Sequence, residues 1–128
     1  MALLPLNTFK TKTAILTTSS SSKVYTAPVG VTSIVLMANA ANVDPLNTRL
    51  VTFAHHRNLP VLPDTQGNGG QTGDTTTEQV SGFPIPPHDS AGLLSGKLII
   101  ESLDSIYAYS DANGSIKLTL SILETANA

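Results

Sequence analysis

Ser115-Ile116-Lys117-Leu118-Thr119-Leu120-Ser121-Ile122 sets a polar side chain against an apolar one at every step. A period of two marks a strand with one buried and one wet face, because successive strand side chains point to opposite sides. Just upstream, Ser105 to Ser110 alternates too, with Ile106 and Ala108 on one side and Tyr107 and Tyr109 on the other. Asp111-Ala112-Asn113-Gly114 joins the two strands. Asn-Gly tolerates positive φ, so a tight antiparallel hairpin is expected there.

Working outward, Gly96 to Glu101 reads as a third strand. A short corner, Ser102-Leu103-Asp104, would make the three a meander. Val31 to Ala41 is an apolar run consistent with a strand buried on both faces. Arg49 to His55 would pair beside it through a turn at Asn42 to Asn47, where Pro45 cannot donate to a ladder. Lys12 to Thr17 and Lys23 to Thr26 are shorter strands, separated by Ser19-Ser20-Ser21-Ser22, a run read as a flexible connection. Phe83-Pro84-Ile85-Pro86-Pro87 is extended, and its prolines exclude it from a central strand.

Composition agrees with this reading. Sixteen Thr and thirteen Ser sit beside 12% charged residues. Thr and Val suit the pleated, half-buried surface of a strand, and sparse Glu, Lys and Arg remove the usual helix formers. The expectation is an all-β chain: an antiparallel β-sandwich or jelly roll of about eight strands. At 128 residues it is expected to hold an N-terminal arm, first strand and Ser-rich connection (1–22), then a single domain (23–128). A polar, Gly-rich loop at 57–77 interrupts that domain, and connections of this length are usually functional loops or disordered.

Several function classes have little support. A net charge of −2 with seven scattered basic residues makes no stripe for a phosphate backbone, so no nucleic-acid partner is expected. No apolar stretch is long enough to span a bilayer, and the first six residues lack a basic n-region, so synthesis in a cytoplasm is expected. Cysteine is absent, which removes disulfides and thiolate chemistry. His55-His56 would point to opposite faces of a strand and rarely share an ion, even with His88, Asp64 or Asp89 nearby. His88-Asp89-Ser90 has the residue types of a hydrolase triad, but a triad converges from separated positions. Gly67-Asn68-Gly69-Gly70 lacks the Lys-Ser/Thr of a phosphate cradle. Asp111-Ala112-Asn113-Gly114 lacks the terminal acidic ligand of a calcium loop. No catalytic residue, metal ligand or cofactor is expected.

Tyr107 and Tyr109 on one face, joined by Tyr25, would make an aromatic platform for a sugar or for the rim of a subunit interface. The apolar arm Met1 to Lys10, carrying Leu3, Leu4, Leu6 and Phe9, is better explained by docking on a neighbour than by exposure to water.

One resemblance adds to this. Lys23-Val24-Tyr25-Thr26-Ala27-Pro28-Val29-Gly30-Val31-Thr32-Ser33-Ile34-Val35-Leu36, leading into Ala38-Asn39-Ala40-Ala41-Asn42, resembles the opening of small virion structural proteins of tailed bacteriophages. Phe83 to Pro87, Gly96 to Asp104 and Ser110 to Glu124 resemble them too, so the likeness spans roughly residues 23–124. The resemblance implies a non-enzymatic β-sandwich on the phage particle: a capsid decoration (cement) protein, or a neck, tail or fibre-associated accessory. It implies a virion location, partnership with the major capsid protein or other virion proteins, and self-association as a trimer or ring. Leu3, Leu4, Leu6, Phe9, Arg57, Tyr107 and Tyr109 are the candidate assembly contacts. A carbohydrate- or receptor-binding module is the alternative.

Overall fold

The computed structural model describes residues 7–58, 61–62, 71–72 and 75–126. In chain order its strands are β1 (Asn7–Ile15), β2 (Lys23–Thr26), β3 (Val31–Asn42), β4 (Arg49–Arg57), β5 (Val61–Leu62) and β6 (Gln71–Thr72). They continue with β7 (Thr75–Ile85), β8 (Ser90–Gly92), β9 (Leu98–Ile100), β10 (Ser105–Ser110) and β11 (Ile116–Ala126). Among the described residues no helix is long and apolar enough to cross a membrane.

One sheet runs β1-β11-β3-β8, with β9 also paired to β3, and the second runs β2-β10-β4-β7. All ladders are antiparallel. They nest: β1 with β11, β2 with β10, β3 with β8 and β9, and β4 with β7. That is one long antiparallel hairpin folded over on itself. The added ladders β11–β3 and β10–β4 complete the two sheets. This nesting is the jelly-roll arrangement. The all-β expectation is borne out, and its two alternatives resolve to the jelly roll.

The core lies between the sheets. Val35, Ala38, Ala40, Leu118, Leu120 and Ile122 from one meet Val51, Phe53, Ile106 and Ala108 from the other, all fully buried. β11 keeps strict alternation from Ile116 to Glu124. β3 does not: its buried positions are Ser33 and Val35, then Ala38, Ala40 and Asn42. The register explains the change, since Ser121 faces Met37 while Ile122 faces Val35. Leu36 is therefore the extra residue of a β-bulge, and a bulge resets which side chains point inward. The expectation that this strand is buried on both faces is corrected here: Ile34, Leu36 and Ala41 are only half-buried and Met37 is exposed.

The chain alternates between sheets more than its sequence signals suggest. β10 and β11 do not form a hairpin: β10 pairs β2 and β4, and β11 pairs β1 and β3. Asp111 to Gly114 is a corner between sheets, with Gly114 at φ 80. The segment after β1 pins it: Ser110 N–H donates to Thr17 O, Gly114 N–H to Leu16 O, and Thr18 N–H to Asn113 Oδ1. The meander fails for the same reason, because β9 joins β3 while β10 lies in the opposite sheet. Nor does β4 lie beside β3; Asn42 to Asn47 also crosses between sheets.

Three smaller readings change. The serine run is a hydrogen-bonded turn, with Ser22 N–H on Ser19 O and the Thr17 and Ser22 hydroxyls 3.3 Å apart. The first strand opens at Asn7, inside the expected arm, and pairs with β11 as far as Thr125. The expected 57–77 loop is closed at its base by the Arg57–Thr75 pair, and β5 pairs β6 within it. The glycine cluster at 67–70 and Asp64 lie outside the described residues. Strand β7, unanticipated over Thr75–Val80, is the edge of its sheet and holds Pro84, where a missing donor costs no ladder bond.

Candidate functional site: an apolar row across one sheet

The solvent face of the first sheet is mostly hydroxyls and amides. Thr11, Thr13, Thr119, Ser121, Asn39 and Thr125 occupy positions that the register places side by side. Ile15 and Met37 are exposed there too, each opposite a polar residue (Lys117 and Ser121), but one row is apolar from edge to edge. Phe9 on β1 faces Leu123 on β11, Leu123 faces Ile34 on β3, and Ile34 faces Ile99 on β9. Four apolar side chains thus cross the sheet in line, over three inter-strand steps of about 4.8 Å each. Phe9 is 74% exposed and Ile99 58%, with Leu123 and Ile34 half-buried between them. Directly opposed cross-strand neighbours touch, so the row is one contiguous surface rather than scattered apolar residues.

Of the expected contacts, Phe9 lies at the end of this row. Leu3, Leu4 and Leu6 lie outside the described residues. Arg57 is committed within the chain: its guanidinium pairs with Glu101, and its Nε lies 2.9 Å from Asp104 Oδ2. Asp104, only 1% exposed, also meets His55 Nε2 at 3.2 Å and accepts the Asn58 N–H at 2.9 Å. This buried carboxylate ties the end of β4 to the corner before β10, a structural role for a charge that burial would otherwise penalise.

Tyr107 and Tyr109 do share the solvent face of the second sheet. Tyr107 is covered, however: His56 stacks on its ring at 5.1 Å and 11°, and Lys23 Nζ lies 6.0 Å from the ring centre. Tyr25 does not join them. It faces inward and spans the sandwich, with its hydroxyl 2.6 Å from Ser33 Oγ and 2.5 Å from Glu124 Oε2. Burial, reinforced by Glu124, pushes its pKa above the ordinary tyrosine value. The aromatic platform is therefore smaller than the sequence implies.

The two histidines diverge, His55 to Asp104 and His56 to Tyr107 and Thr76. Asp89 accepts the N–H of its neighbour Ser90 in a local turn that His88 enters at φ 58. Among the described residues, no group of three or more His, Asp or Glu converges as a metal site.

Clefts open on both flanks where the sheets part. On one flank a cleft of about 330 Å³ between β1 and β2 is lined by Lys10, Lys12, Tyr25 and Glu124. On the other a cleft of about 450 Å³ lies between β7 and the β8–β9 segment, lined by Val80, Leu93, Leu94 and Leu98.

No protein-family model matches the chain, and no match is found among curated proteins. Among solved structures the chain is similar to a chain of the T13 IBDV viral particle, at 7% identity and a TM-score of 0.48. The match covers 96% of this chain and 31% of that one.

Sequence reasoning missed Leu123, Ile34 and Ile99. Leu123 was the visible signal: it is the apolar intruder on the face that Lys117, Thr119 and Ser121 keep polar.

Proposed function

We propose that this chain is a non-enzymatic structural subunit of a virus particle, a capsid decoration (cement) protein of a tailed bacteriophage that binds the head through its sheet face. The row Phe9–Leu123–Ile34–Ile99 carries this reading, because a contiguous apolar line across a mostly polar sheet face is costly to leave in water. The likeness of residues 23–124 to small phage virion proteins supports it, as does the low charge content. So does the nested jelly roll, a fold shared by capsid and lectin domains; fold alone does not assign a role. The partner is a capsid subunit or another virion protein, and stabilisation comes from apolar burial at the subunit boundary.

Mass spectrometry of purified particles with subunit counting tests the proposal. Hundreds of copies agree with decoration of the head, and six or twelve would move the protein to the neck or tail. Particles lacking the protein would overturn the virion reading.

A further inference from the structure

We propose that the two long edge strands of this chain pair with each other between copies: β1 of one copy against the Thr75–Glu78 part of β7 in the next.

Among the described residues β1 pairs only β11 and β7 pairs only β4, so each leaves a row of backbone donors and acceptors open, longer than those of β2, β8 and β9. They lie on opposite flanks of the sandwich, as the two clefts show: β1 adjoins β2, and β7 adjoins the β8–β9 segment. Their charges are complementary. Lys10 and Lys12 project from β1, and Glu78 projects from β7. Lys10 is paired with Glu124 at 3.1 Å, whereas Lys12 and Glu78 make no ion pair with any described residue. Lysines on an edge strand repel a second β1 edge and accept an acidic one, which selects head-to-tail over like-with-like pairing. Beyond Glu78 the β7 register shifts, and Gly82 and Pro84 follow, so regular pairing is confined to Thr75–Glu78.

Which faces meet follows from the register. Lys10 and Lys12 oppose Ile122 and Leu120, so they stand on the core side of their sheet. Glu78 opposes Ala54, on the solvent side of its sheet with Tyr107. For Lys12 and Glu78 to meet across the new ladder, the core side of one sheet must continue as the solvent side of the other. The neighbour's second layer then rises over the solvent face of β1. Phe9 points into the mouth between the neighbour's two sheets, the cleft of about 450 Å³ lined by Val80, Leu93, Leu94 and Leu98. Val80, Leu93, Leu94 and Leu98 give the ring apolar contacts in a cleft that Gln79, Ser95 and Lys97 also line, so charge pairing and the seating of Phe9 require the same arrangement. Such a contact is heterologous, and it closes into a ring when the rotation per copy allows. It concerns the chain's pairing with itself: Phe9 is then held by the neighbouring copy, which leaves Leu123, Ile34 and Ile99 of the row to the particle.

Sedimentation velocity over a concentration series tests it, using the full chain, Lys12→Glu, Glu78→Lys and the double exchange. The wild type associates, each single variant weakens association about tenfold, and the double exchange recovers it. An equimolar mixture of the two single variants also recovers, since each supplies the edge the other needs. Phe9→Ser weakens association without lowering the urea midpoint. A wild type that stays monomeric at all concentrations, single variants that associate as it does, or a double exchange as weak as the singles would each overturn the proposal.

Discussion

Tyr25 on β2 and Glu124 on β11 join the two sheets through one short hydrogen bond, hydroxyl to carboxylate at 2.5 Å. The hydroxyl also lies beside Ser33, and Lys10 closes the cluster from the solvent side. Tyr25→Phe should cost about 1–2 kcal/mol of unfolding free energy, since the buried Glu124 carboxylate loses a donor. The pKa of Tyr25 is raised, so its contribution is complete below the ordinary tyrosine value of 10.0 and declines as pH rises past it. Urea unfolding should show the gap between wild type and Tyr25→Phe holding steady to pH 9 and narrowing above pH 10. A gap that widens there would contradict the assignment.

Asp44 organises the crossing between β3 and β4. Its carboxylate accepts the N–H groups of Leu46 and Asn47 and the guanidinium of Arg49. The Leu46 N–H above all, with Arg49, holds its pKa well below the usual carboxylate range. A depressed pKa stabilises the fold above the ordinary value of 3.8, and that stability is lost as pH falls. Asp44→Asn should lower the thermal midpoint at pH 6, and the difference from wild type should shrink below pH 4. A constant difference between pH 6 and 2.5 would remove Asp44 from this role.

Asn42 is 2% exposed and its amide donates to Asn47 O and Ile85 O, each at 2.9 Å, while its carbonyl accepts from Asp44 N–H. Asn42→Ala strands those backbone groups, and Asn42→Asp sets a carboxylate against the two carbonyls. Both should destabilise by about 2–3 kcal/mol in urea titrations. A loss under about 0.5 kcal/mol would mean the turn has other means of satisfying its polar groups.

The strands were legible wherever side chains alternate without interruption. β10 was read to its exact ends, because Ser105 to Ser110 keeps period two; β11 was found from Ile116 to Ile122 but runs on to Ala126, four residues past the expected end. Their assignment to opposite sheets was not legible. Asn113-Gly114 announces positive φ, and a hairpin and an inter-sheet corner both use it; the choice is made by distant partners, Leu16 and Thr17. The Leu36 bulge was hidden in a continuous apolar run, where a shift of face leaves no mark on composition. Thr75–Val80 was overlooked because an edge strand needs no apolar alternation to hold its ladder. Phe9 was anticipated as a contact, but its alignment with Leu123, Ile34 and Ile99 depends on the register of three ladders.

The central claim is that the sheet face carrying this row is where the particle holds the protein. Ile99 tests it most directly, since it is 58% exposed and lies at the end of the row far from β1. Copies per particle should be counted for wild type and Ile99→Asp, with urea midpoints measured on both free proteins. Occupancy should fall at least about tenfold, as expected for a charge forced into an apolar contact, with the midpoint unchanged. Full occupancy by the folded Ile99→Asp protein would contradict the account.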